Sequence, residues 1–230
     1  MKIMGLQKST LLDYPGKVAC TVFTGGGDFF FSFCHNGELI ALPAEERGLP
    51  REELAAFLKK RKGILDGVCI SGGEPLIHQE LPDLLREIKD LGYLVKLDTN
   101  GSFPDRLRKL AGEGLLDYVA MDIKNSKRKY ALTTGLEAFS IEPVEESVRF
   151  LMEGKLPFEF RTTVVRQLHT KEDMLEIGDW IRGKEPYFLQ AFERSSNVPD
   201  SGLTAYDKEE MQELADILKG KLPNVELRGI

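Results

Sequence analysis

Four short stretches of this chain carry residue types able to do chemistry. The first, Val18 to Ile40, joins an apolar run (Val18 to Phe23) to three consecutive glycines, Gly25, Gly26 and Gly27. An aromatic run (Phe29, Phe30, Phe31, Phe33) follows and ends in Cys34-His35-Asn36. The Cys34 thiol, the His35 imidazole and the Asp28 carboxylate are all groups that can bind iron, and His35 equally suits loop hydrogen bonding. The second stretch is Gly72-Gly73-Glu74-Pro75. Paired glycines let backbone come close to a ligand, and Glu74 offers an acceptor for an ammonium group; the same residues also make an ordinary turn. The third and fourth are Asp98-Thr99-Asn100-Gly101 and Asp122-Ile123-Lys124, with Arg161 and Gln190 further on. Read as surface groups, these charges form a salt-bridge set at strand ends.

The elements that must position these residues alternate. Strand patterns fall at Val18 to Phe23, Gly67 to Ser71, Tyr93 to Leu97, Asp117 to Ile123, Phe158 to Val165, Tyr187 to Phe192 and Val225 to Arg228. Helical patterns fall between them: one opens at Pro50 with acids in its first turn, and one runs from Leu81 to Leu91 and stops at Gly92. Others cover Pro104 to Ala111, Pro143 to Met152, Thr170 to Ile181 and Asp207 to Lys219. Thr170 and Asp173 have the spacing of a capping pair. Met1 to Gly16 reads as a lead-in segment closed by a turn at Asp13-Tyr14-Pro15-Gly16. This alternation predicts parallel βα units, and periodicity does not separate a barrel from a doubly wound sheet. In both, functional residues sit at the C-terminal ends of strands. Gly25 to Asn36, Gly72 to Pro75, Asp98 to Gly101, Asp122 to Lys124 and Arg161 all do so.

The frames LLDYPGKVA, TVFT-x-G…FCHN-x-EL, GGEP, DTNG and D-x-K together resemble the radical S-adenosylmethionine (SAM) activating enzymes, especially the activator of anaerobic ribonucleoside-triphosphate reductase. The resemblance covers nearly the whole chain. It implies a single domain over 1–230 with the α/β fold of a partial (β/α)6 TIM-like barrel. It also implies SAM, a [4Fe-4S] cluster held by three thiolates of a C-x3-C-x2-C loop, and a monovalent cation. Only Cys34 matches that loop; Gly27 and Phe31 stand at the other two ligand positions. By the same resemblance the backbone of Phe33 lies beside the SAM adenine, and Gly72, Gly73, Glu74, Pro75 and Asn100 bind the cofactor. Asp98, Thr99 and Asp122 hold the cation or the ribose, and Lys124 and Arg161 face the SAM carboxylate or a substrate peptide. Gln190 is a weaker member of the pocket wall. The implied partners are the large subunit of anaerobic ribonucleotide reductase, on which a glycyl radical is made, and reduced flavodoxin or ferredoxin as electron donor. The missing thiolates leave a second class open: an engineered variant or natural pseudoenzyme that binds SAM or the reductase peptide without radical chemistry. Rings of Phe30 and Phe31 filling the vacated cluster space would suit it. Another radical SAM enzyme, such as 7-carboxy-7-deazaguanine synthase, is a third reading.

Composition narrows the classes further. With 230 residues, 42% hydrophobic and 30% charged, the chain has the makeup of one ordinary globular domain. Its net charge of −6, with both signs interleaved, argues against nucleic acid as the main partner. The basic stretch Lys59 to Lys62 suits a helix C-terminus. No apolar run reaches the ~20 residues of a membrane span and no secretory core opens the chain, which points to the cytoplasm. Cys20 and Cys69 lie in apolar strand patterns and read as small buried hydrophobes, the alternative being that they converge with Cys34 on one metal. A cofactor-free barrel enzyme would need an acid/base pair, and His78 and His169 have no nucleophile near them in sequence.

Overall fold

The computed structural model describes residues 1–29, 48–136, 139–194, 200 and 202–230. Its strands are β1 (Ile3–Thr10), β2 (Ala19–Thr24), β3 (Gly67–Gly72), β4 (Leu94–Thr99), β5 (Tyr118–Asp122), β6 (Phe158–Val164), β7 (Tyr187–Ala191) and β8 (Val225–Arg228). The helices are α1 (Arg51–Lys60), α2 (Leu81–Asp90), α3 (Pro104–Gly112), α4 (Tyr130–Thr134), α5 (Glu142–Glu153), α6 (Lys171–Trp180) and α7 (Lys208–Leu218). The strands form one sheet in sequence order; β1 is antiparallel to β2, and every later neighbouring pair is parallel. β2 to β7 are each followed by a helix, and β8 completes the sheet as an edge, so this is the expected partial (β/α)6 barrel.

The side-chain period of two divides each parallel strand between two environments. Val22, Ile70, Leu97, Met121, Phe160 and Leu189 enter the apolar core shared with the helices. Their chain neighbours Phe23, Ser71, Asp98, Asp122, Arg161 and Gln190 line a cavity on the other face. Helical spacing supplies the complementary layer, as in α2, where Leu81, Leu84, Leu85 and Ile88 are buried.

Two elements depart from the sequence expectation. The lead-in segment contains β1, whose pairing with β2 shifts register twice, so no clean alternation marks it in the sequence. Its closing turn tucks Tyr14 under the sheet, 5.9 Å from the Tyr118 ring. The second departure is α4, too short for helical periodicity to register; Gly135 ends it in the left-handed conformation (φ 70°). Thr170 and Asp173 form the anticipated capping box of α6, and Asp207 and Glu210 form another for α7.

Asp173 does more than cap. Fully buried, it accepts from Ser126 Oγ (3.1 Å), Arg128 Nη2 (2.8 Å) and Lys129 Nζ (2.5 Å), and so ties α6 to the segment after β5. Removing one partner of a buried ion pair strands the others. Asp173→Ala is expected to lower unfolding free energy by about 3 kcal/mol, read from urea denaturation.

Candidate functional site

A cavity of about 500 Å³ opens at the C-terminal ends of the strands. Its rim is built backbone on backbone. Gly73 donates its N–H to Thr24 O (3.0 Å) and Glu74 donates its N–H to Gly26 O (3.0 Å), which locks the β3 turn against the glycine loop after β2. A Cβ on Gly73 would lie 1.5 Å from Gly26 O, and Gly72 holds φ 114° with its Cβ position 2.3 Å from Thr24 O. The paired glycines therefore serve this loop-to-loop approach first.

Glu74 braces the same rim from inside. Its buried carboxylate accepts from Leu76 N (3.0 Å), Thr99 Oγ1 (2.8 Å) and Asn100 N (2.7 Å). A carboxylate has about four lone-pair sites, so at most one is left for a ligand ammonium. Burial pushes its carboxyl up to about 8, against the three donors. Pro75 opens the short 3-10 turn that Glu74 caps. Asn100 Nδ2 (2.8 Å) and Ser102 Oγ (2.5 Å) both donate to Asp28, so the glycine loop is held at its far end as well.

The cavity floor is a ladder of alternating charges. Lys96 Nζ meets Asp98 Oδ1 (2.5 Å), and Arg161 Nη1 meets Asp98 Oδ2 (3.2 Å). Arg161 Nε meets Asp122 Oδ1 (2.8 Å), and Lys124 Nζ meets Asp122 Oδ2 (3.0 Å). Burial works against ionising both aspartates, yet Arg161 with Lys96 on one side, and Arg161 with Lys124 on the other, hold both carboxyls below their ordinary range. The positive charge between Asp98 and Asp122 is thus Arg161 itself. Thr99 Oγ1 donates to Glu74, while Asp98 and Asp122, the other two residues that the resemblance assigns to the cation or the ribose, both pair with Arg161.

Gln190 lines the cavity at the end of β7, as anticipated. Phe31, Phe33 and Cys34 lie outside the described residues. Gly27 is described and forms part of the cavity wall, where it brings no donor side chain to the first ligand position. Cys20 and Cys69 cannot join a common thiolate set. Cys69 pairs with Thr21 across the β2–β3 ladder, so Cys20, one residue earlier, faces the opposite side of the sheet. Burial also pushes the Cys20 thiol up to about 12 and the Cys69 thiol well above its usual range. A site-differentiated [4Fe-4S] cluster needs three thiolates. The residues present do not fit it.

Lys96 and Asp13 build the site although no motif marks them, and Asp28, able by its chemistry to bind iron, accepts from Asn100 and Ser102 instead. Lys96 is buried beside Asp98 and Cys69, and Asp13 reaches up from the Tyr14 turn to accept from Thr21 Oγ1 (2.5 Å). The usable signal was in LVKLDT: two charged residues at the strand period inside an apolar segment mark a polar inner face.

Fold and site together define an open α/β barrel with a polar ligand cavity at the strand C-termini. The family model of the radical SAM superfamily matches residues 22–181, more than half of the chain. The chain belongs to the radical SAM superfamily, whose members use SAM and a [4Fe-4S] cluster. A candidate glycyl-radical enzyme activating enzyme of Methanocaldococcus jannaschii is 29% identical over 99% of this chain and 96% of its own length. The 7-carboxy-7-deazaguanine synthase of Thermococcus kodakarensis is also 29% identical, over 60% of this chain and 53% of its own. Among solved structures, Streptococcus suis SuiB bound to SAM superposes with a TM-score of 0.70 at 15% identity, over 90% of this chain; this chain spans about half (49%) of SuiB. A domain of the pyruvate-formate lyase-activating enzyme of Bacteroides vulgatus gives 0.58 at 18% identity, over 71% of this chain and 99% of that domain.

The Glu74 brace has a pH signature. A carboxyl raised from 4.5 to about 8 on folding binds protons more tightly in the folded state, so its contribution falls as pH rises from 4.5 through about 8. Urea midpoints of the wild type should decline over that window. Glu74→Gln should remove the decline and, by setting an amide N–H against a donor, cost about 1–3 kcal/mol at the acid end.

Proposed function

We propose that this chain is a glycyl-radical-activase type of radical SAM protein whose cavity binds SAM and a peptide of its partner, and that the loop as it stands limits it to binding. The observation that carries this reading is the charge ladder at the strand ends beside a glycine-lined wall to which, among the described residues, no thiol contributes. SAM offers a carboxylate, an ammonium, a sulfonium and an adenosine. A volume of about 500 Å³ lies within the range of small-molecule pockets, roughly 300–1,000 Å³. Lys124 and Arg161 supply the cations for a carboxylate. Asp98 and Asp122, kept ionised, supply negative field for the ammonium and sulfonium. Gly72, Gly73 and Asn100 bring backbone and amide groups to the same rim.

The partner reading rests on the near end-to-end match to the M. jannaschii protein, which favours the activase class over the deazaguanine synthase, matched over little more than half its length. The glycyl-radical protein we favour is the large subunit of an anaerobic ribonucleotide reductase, with its glycine-bearing segment as the docked peptide. A reduced flavodoxin or ferredoxin would be needed only by a chain that holds a cluster. Among the described residues no helix is long and apolar enough to cross a membrane, in keeping with work beside a cytoplasmic reductase.

Isothermal titration of the metal-free protein with SAM tests the reading. Saturable one-site binding is expected, and Lys124→Ala should weaken it by about tenfold or more, the range of a lost charge-assisted hydrogen bond. Absence of binding, or binding indifferent to Lys124, would sink the proposal.

A further inference from the structure

The segment after β5 is held from behind by a histidine that the cavity does not see. His169 is fully buried, on the loop between β6 and α6. Its Nδ1 lies 3.0 Å from Val165 N, and its Nε2 lies 2.9 Å from Lys124 O. Nδ1 also lies 3.2 Å from Val165 O. A carbonyl can only accept, so the ring carries a proton on Nε2 and donates it to Lys124 O, while a bare Nδ1 accepts from Val165 N–H. On the other side of the same residue the Tyr130 hydroxyl lies 3.3 Å from Lys124 N. Next in the chain, Asn125 Nδ2 donates to Leu168 O (3.1 Å), a second tie to the His169 loop.

We infer that His169 is a positioning residue for Lys124: the neutral ring latches the β6–α6 loop to the Lys124 peptide and thereby fixes where the Lys124 ammonium stands over Asp122. The inference rests on the reading that the cavity binds SAM through Lys124. Geometry makes the latch dependent on the Nε2 proton; an Nδ1–H would meet Val165 O at 3.2 Å, so the ring is held on both nitrogens by backbone. The groups facing the ring are Lys124 from the β5 end, Lys129 from the 3-10 turn after it, Asp173 from α6 and Tyr206, whose hydroxyl donates to His169 O (2.7 Å). Burial lowers the imidazole below its ordinary 6.5 despite its two backbone partners. The ring is therefore neutral at neutral pH, with its proton on Nε2 toward Lys124 O.

Two isosteric variants separate the two bonds of the ring. His169→Gln keeps an amide N–H where Nε2 donates to Lys124 O and loses the Val165 acceptor. His169→Asn keeps the acceptor for Val165 N–H and loses the bond to Lys124. Each loses one hydrogen bond, so a purely structural role lowers the stability and SAM affinity of both alike. The latch instead predicts, by titration calorimetry, that H169N binds SAM about tenfold more weakly at neutral pH while H169Q stays within about threefold of wild type. Equal affinities in the two variants would overturn it. A wild type that binds no SAM would overturn the cavity reading alone. The imidazole nitrogen NMR shifts of His169 then decide the latch: a proton on Nε2 at neutral pH supports it, and an Nδ1–H ring with a bare Nε2 contradicts it.

Discussion

The Arg161 guanidinium, lying between Asp98 and Asp122, is the contact on which the cavity depends. Three strands deliver these groups to one level, and two carboxylates this close on a buried floor would repel without a cation between them. Lys96 and Lys124 continue the alternation outward, so five charged side chains, from β4, β5, β6 and the second residue past β5, alternate in sign and leave one net positive charge. Such a floor is costly to desolvate and weak evidence for stability. Its value is a fixed field at the place where a zwitterionic, cationic ligand would lie.

Around that floor the walls are held by backbone and by single braces. The glycine loop after β2 meets the β3 turn through two backbone hydrogen bonds at a distance only glycines allow, and Glu74 joins that turn to the end of β4. On the far side, Asp173, Asn125 and His169 bind the segment after β5 to the next loop. The apolar layer carries the stability and the loops carry the ligand, a division that follows from the strand period of two.

Much of this was legible in the sequence. All seven parallel strands and the longer helices between them follow from hydrophobic period and punctuation, and Gly72 to Glu74, Asp98 to Asn100, Asp122, Lys124, Arg161 and Gln190 do stand at strand ends around one cavity. What stayed hidden was pairing. GGEP reads as a ligand cradle, but only the fold shows Gly26 O in the place of the absent Cβ. Glu74 reads as an open acceptor, yet two of its three donors come from the end of β4, Thr99 and Asn100, far along the chain. Thr99 sits among cation-site residues by motif and turns to Glu74 in space. β1 escaped because two register shifts erase its alternation, and His169 because its partners are backbone atoms that no side-chain pattern records. Cys20 and Cys69 read correctly as buried, and the ladder register shows why they cannot meet.

On the proposed function, the cavity can bind SAM and lacks only the thiolates of a cluster. Iron and sulfide content after anaerobic reconstitution tests it most directly, on the wild type and on a Gly27→Cys, Phe31→Cys double variant side by side. The account predicts negligible iron on the folded wild type and about four irons per chain on the double variant, since the three-thiolate set is then restored. About four irons on the wild type itself would contradict it.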